Sequence, residues 1–80
     1  MKLWLISQDA NSGYDTFDAL VVAAKTEGAA RLLHPEGVDA DWDYTYTAWC
    51  RTPDQVEVEL IGNAKPGTKE GIILASFNAG

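Results

Sequence analysis

An almost unbroken apolar run, Phe17-Asp18-Ala19-Leu20-Val21-Val22-Ala23-Ala24, constrains this chain more than any other stretch. With two adjacent β-branched residues it is too short and too uniform for a one-sided helix, and it reads as a buried central strand. Just beyond Lys25 the pattern changes. Thr26 has a hydroxyl that can cap the free N–H groups of a first helical turn, Glu27 sits at the positive end of the helix dipole, and Pro35 follows His34 as a stop. A short helix is therefore expected from Thr26 to His34. Ala29, Leu32 and Leu33 fall at i, i+3 and i+4 and form a narrow stripe towards the sheet, with Arg31 pointing to water.

The remaining elements arrange themselves around this strand–helix corner. Lys2 to Gln8 is apolar on both faces, which suits an inner strand, and Asp9-Ala10-Asn11-Ser12-Gly13 gathers turn-forming residues into a hairpin loop. Pro35-Glu36-Gly37 ends the helix. Asp39 to Thr47 alternates, so an extended chain would put Trp42, Tyr44 and Tyr46 on one face and Asp41, Asp43, Thr45 and Thr47 on the other. A strand and an extended loop both fit. Pro53-Asp54-Gln55 is a turn. Val56 to Ile61 alternates cleanly, with Val56, Val58 and Leu60 inward and Glu57 and Glu59 in water. After a loop with a Pro66-Gly67 turn, Ile72 to Phe77 is apolar on both sides and is expected near the sheet centre.

The fold class that follows is α+β: a small antiparallel sheet of about four strands with one helix packed on one face, in the order β-β-α-β-β. The 80 residues suffice for a single domain, 1–80, with stability on the order of 5 kcal/mol. One helix covers one sheet face. Trp42, Tyr44, Tyr46 and Trp49 are expected to fold back over the other, the alternative being two sheets paired in a homodimer.

Twelve acidic against six basic residues give a formal net charge of −6. That charge argues against nucleic acid and anionic membranes as direct partners and favours a basic protein. A single cysteine, Cys50, and a single histidine, His34, cannot form an intramolecular disulfide or a four-ligand zinc site, and they point to a reducing compartment. The apolar run Leu3 to Ile6 is far short of a signal-peptide core or a membrane span, so a soluble, cytoplasmic protein is expected.

No constellation specifies a reaction. Asp9, Asn11, Gly13 and Asp15 alternate as calcium-loop ligands do, but no bidentate Glu follows at the twelfth position. Asp15 and Asp18 are equally well explained as a strand-entry residue and a solvated loop residue, and His34 and Cys50 as structural residues rather than a catalytic pair. Gly62, Gly67 and Gly71 follow no strand-to-helix turn, which leaves a phosphate-binding loop without support. No catalytic residue, metal or cofactor is assigned.

The carboxylates remain. In an extended chain Asp39, Asp41 and Asp43 would lie about 7 Å apart, as would Glu57 and Glu59, a spacing that rows of DNA phosphates also approach. Such rows suit a Lys/Arg groove; the plainer reading is that they keep a small domain soluble and blunt its sheet edges.

Several phrases carry a family resemblance. Gln8-Asp9, Asn11-Ser12-Gly13-Tyr14-Asp15-Thr16-Phe17-Asp18, Val21-Val22-Ala23-Ala24, Ala29-Ala30-Arg31, His34-Pro35, Val56 to Gly62, and above all the ending Gly71-Ile72-Ile73-Leu74-Ala75-Ser76-Phe77-Asn78-Ala79-Gly80 resemble a group of small proteins of bacteriophages, prophages and mobile islands of proteobacteria. The match is weakest between Trp42 and Thr52, and no functional residues come with it. What it implies is context: an accessory protein of a mobile element, a class rich in inhibitors of bacterial immunity, including anti-CRISPR proteins. Two functions follow as expectations. In one, the chain inhibits a basic, nucleic-acid-binding host defence complex through Asp39, Asp41, Asp43, Asp9, Asp15, Asp18, Glu57 and Glu59, with Trp42 and Tyr44 as aromatic anchors. In the other, it is a structural or assembly phage protein acting through self-association or sheet-edge pairing.

Overall fold

In the computed structural model, which describes residues 1–78, the chain forms four strands and one short helix. The strands are β1 (Lys2–Ser7), β2 (Thr16–Ala24), β3 (Glu57–Asn63) and β4 (Gly71–Asn78), and the helix α1 spans Glu27–Arg31. Every neighbouring pair is antiparallel and the spatial order is β3-β1-β2-β4. β1 and β2, apolar on both faces, are the inner strands, whereas β4, which is also apolar on both sides and expected near the sheet centre, lies at an edge. Among the described residues no helix is long and apolar enough to cross a membrane.

Three bulges decide which way side chains point. Asp18 is an extra residue between the pairs Phe17↔Phe77 and Ala19↔Ser76, and it reverses the alternation so that Phe17 joins Leu20 and Val22 on the covered face. There its ring meets Phe77 at a centroid separation of 4.7 Å. Ile61 and Ile73 are the extra residues of the other two bulges, one on each edge strand.

The core cluster lies on one face. Trp4 and Ile6 from β1 and Leu20, Val22 and Ala24 from β2 pack with Ala30 of the helix and with Trp49, Cys50 and Val56 of the long connection. Trp49 is fully buried, so the segment from His34 to Val56 lies on the same face as the helix. This overturns the expectation that the aromatic segment covers the opposite face. A single helix of five residues is too short to cap four strands, and the connection supplies the missing cover beside it. Trp42 packs edge-on against His34, whereas Tyr44 and Tyr46 stay at the surface in a series of turns with no strand.

The helix is also shorter than its pattern. Thr26 caps it as expected, its hydroxyl accepting from Ala29 N–H at 3.1 Å, but helical structure ends at Arg31. Ala30, not Leu32, is the residue buried against the sheet, and Leu32 is largely exposed. Arg31 does not simply face water: its guanidinium donates to the carbonyls of Pro53 and Val56, at 3.2 and 2.8 Å.

A second clamp sits at the opposite end of the core. Asn11, in the β1–β2 loop, donates both amide hydrogens to the carbonyls of Thr47 and Trp49, each at 2.8 Å. Buried Gln8 holds Asn11 in place through Asn11 N–H and the Asn11 carbonyl. Phe17 N–H donates to Ala48 O at 2.7 Å, and the Glu36 carboxylate accepts from Ala48 N–H at 3.1 Å. Trp49 is thus a plug with its backbone fixed on both sides.

The indole N–H of Trp49 is buried without a hydrogen-bond partner among the described residues. Trp49→Ala should cost about 3–5 kcal/mol, most of the stability of so small a domain, and abolish a cooperative urea transition followed by circular dichroism. Trp49→Phe keeps a ring and removes the unsatisfied donor, so it should retain a cooperative transition with a loss below about 2 kcal/mol.

Candidate functional site

The sheet and its one-sided cover sort the expected site residues into three separate places. Asp39, Asp41 and Asp43 are exposed on the long connection, which here turns repeatedly rather than running extended. The evenly spaced row expected of a strand is therefore not formed there. Instead Glu36, Asp39 and Asp41 gather with Ala40 and Tyr44 around an open concavity of about 340 Å³. Trp42, expected as an anchor, is half-buried against His34 at a centroid distance of 4.9 Å and has a packing role. Its neighbour Tyr46 takes the exposed position instead, forming an edge-on pair with Tyr44 at 5.9 Å.

Glu57 and Glu59 lie on the other side of the molecule. They pair with Ser7 and Leu5 of β1, so both side chains project from the uncovered face of the sheet, about 7 Å apart. Asp9 joins Glu57 at a small cleft with Ser7, Gln8 and Gln55. Asp15 and Asp18 form the third place, at the far end of the β1–β2 hairpin beside the end of β4. Asp15 adopts a left-handed backbone, φ 60°, which a short polar side chain tolerates, and its N–H donates to Asn78 O. Asp18 is exposed in its bulge, its carbonyl accepting from Gln8 N–H at 3.1 Å. No single flat surface of a partner can reach the 36–44 concavity and Glu57 and Glu59 together, because the sheet separates them.

Charge is left uncompensated almost everywhere. Among the described residues the single ion pair joins Arg31 to Glu27 at 3.3 Å, with the Glu27 carboxylate mostly exposed, and such a partly exposed pair contributes little. Among the same residues no three His, Cys, Asp or Glu side chains converge as a metal site would require. The alternating Asp9, Asn11 and Asp15 are not turned towards one point: Asn11 spends its amide on the Thr47 and Trp49 carbonyls. That clamp is what a reading of the loop as turn chemistry missed, because its acceptors lie 36 and 38 residues away in sequence.

His34 and Cys50 are both buried, and neither is poised for nucleophilic chemistry. Burial pushes the Cys50 thiol up, away from the thiolate, and its S–H donates to Thr52 O at 3.4 Å. His34 Nδ1 accepts from Glu36 N–H at 3.0 Å, so the neutral ring carries its proton on Nε2, which has no partner among the described residues. Burial lowers its pKa below the ordinary 6.5, with the Glu36 charge opposing more weakly.

A histidine held neutral stabilises the fold above its unfolded pKa, and that contribution is lost as pH falls through the folded value. The unfolded chain takes up a proton near pH 6.5 that the folded chain takes up only at lower pH. The melting temperature should therefore drop on acidification from neutrality through the range just below 6.5. His34→Asn keeps an acceptor for Glu36 N–H and removes the titration, so it should flatten that part of the thermal-melt profile.

No family model, no curated protein and no solved structure matches this chain.

Proposed function

We propose that this chain is an accessory binding protein of the anti-defence type, which engages a basic, nucleic-acid-binding host complex through its carboxylates and blocks it. The observation that supports the reading is the 36–44 concavity. Three carboxylates, Glu36, Asp39 and Asp41, surround it, none of them ion-paired to a lysine or arginine among the described residues, and the half-exposed Tyr44 ring stands at its side. A Lys or Arg side chain of a partner finds there both opposite charge and an aromatic face. The formal charge of −6 steers a basic surface towards it over longer range, and the resemblance to phage-borne proteins supplies the class of target.

Mimicry of a long row of DNA phosphates is the less favoured form of this reading, since the aspartates turn back on themselves and Glu57 and Glu59 face the opposite way. Capture of a few basic side chains on a protein surface fits the compact cluster better. The binding free energy then resides in a small number of charge-assisted contacts with Tyr44 and Tyr46 beside them.

The test is capture of tagged protein with lysate from a bacterial host that carries intact immune systems, loaded at low salt, eluted in salt steps and identified by mass spectrometry. The expected result is a Lys/Arg-rich nucleic-acid-binding complex released by salt. The triple variant Asp39→Asn, Asp41→Asn, Asp43→Asn should fold normally and retain at least about tenfold less of that complex, the loss of roughly 1.4 kcal/mol or more of binding. Glu57→Gln with Glu59→Gln, on the other face, should leave capture unchanged. Equal capture by the folded triple variant would remove the 36–44 surface from consideration.

A further inference from the structure

Ile72 to Phe77 has the composition of an inner strand, yet β4 occupies an edge. Its one strand partner among the described residues is β2, so from Gly71 to Phe77 no other described strand pairs with its outward row of backbone N–H and C=O groups. Ile72, Ile73, Leu74 and Phe77 are 37%, 54%, 67% and 47% exposed, and nothing charged and no proline interrupts Gly71–Asn78. Edge strands are ordinarily defended by such residues. The opposite edge is: β3 carries Glu57 and Glu59.

The apolar surface continues inward from this edge. On the uncovered face Leu5, Ala19, Val21 and Leu74 line a shallow concavity of about 350 Å³ that reaches β4. We infer that β4 pairs antiparallel with β4 of a second copy of this chain, joining two four-stranded sheets into one of eight with a continuous apolar face.

Charge selects both the occupant and the direction. Two copies that each carry −6 repel wherever their carboxylates meet, and β4 is a stretch free of them. Lys65 and Lys69 outnumber Glu70 in the loop that leads into β4, whereas Asp15 and Asp18 lie beside its end. Antiparallel pairing sets the basic lead-in of each copy against the acidic hairpin of the other, twice over by two-fold symmetry. Parallel pairing would set like against like. The bulge at Ile73 bends the strand but leaves Leu74 to Phe77 as a run free to pair.

This dimer does not depend on the acidic concavity: either can fail while the other stands. Sedimentation equilibrium of the full chain, from low-micromolar to submillimolar concentration, should show conversion to twice the chain mass. Leu74→Lys places a charge on the apolar face at a well-exposed position, so circular dichroism should be unchanged while the dimer dissociation constant rises at least about tenfold. Amide hydrogen exchange of the unaltered protein supplies the second readout, with β4 amides becoming protected as concentration rises and β3 amides unaffected. A monomer throughout the range, or a dimer whose newly protected amides lie in β3 or outside the sheet, would overturn the inference.

Discussion

The burial of Trp49 against one face of the sheet is the contact on which the rest of the structure depends. A helix of five residues contributes a single fully buried side chain, Ala30, and cannot by itself cover Trp4, Ile6, Leu20 and Val22. The long connection does so by lowering one large aromatic side chain into the gap, with Cys50 and Val56 beside it. A plug of that kind works only if its backbone cannot drift, and three polar groups hold it: the Asn11 amide, the Glu36 carboxylate and the Arg31 guanidinium. Each satisfies backbone groups that irregular chain would otherwise leave unpaired near the core.

Placing both covering elements on one side leaves the other side bare, and the functional surfaces follow from that asymmetry. The connection, free of sheet geometry, turns back on itself and clusters Glu36, Asp39 and Asp41 around Tyr44. The bare face keeps the alternation of its strands, so Leu5, Val21 and Leu74 meet solvent in a patch with Glu57 and Glu59 along the β3 margin. One side is thus acidic and irregular, the other apolar, regular and open at β4.

Much of the fold was legible in the sequence because its signals are local. Turn residues at Asp9–Gly13 and Pro66–Gly67, the Thr26 cap and the alternation of Val56 to Leu60 all act within a few residues, and each element stands where those signals place it. The misreadings share a different cause. A two-sided apolar run such as Ile72 to Phe77 says that a strand avoids water on both faces, but not whether its neighbour comes from its own chain. The alternation of Asp39 to Thr47 fits a strand or an extended loop, and the chain instead makes a series of turns there before Trp49 enters the core. Arg31 and Asn11 read as surface residues because their acceptors are distant in sequence. For the site, exposure of the acidic residues was legible; their division between opposite sides of the sheet was not, because strand order determines it.

Hydroxyl-radical footprinting with mass spectrometry, at concentrations low enough to keep the chain monomeric, tests the one-sided architecture most directly. Leu74, Ile73 and Tyr46 should be oxidised rapidly, while Trp49, Ile6 and Leu20 stay protected until the chain unfolds. Rapid oxidation of Ile6 and Leu20 in the folded protein, together with protection of Leu74, would mean that the connection covers the opposite face and would contradict the architecture described above.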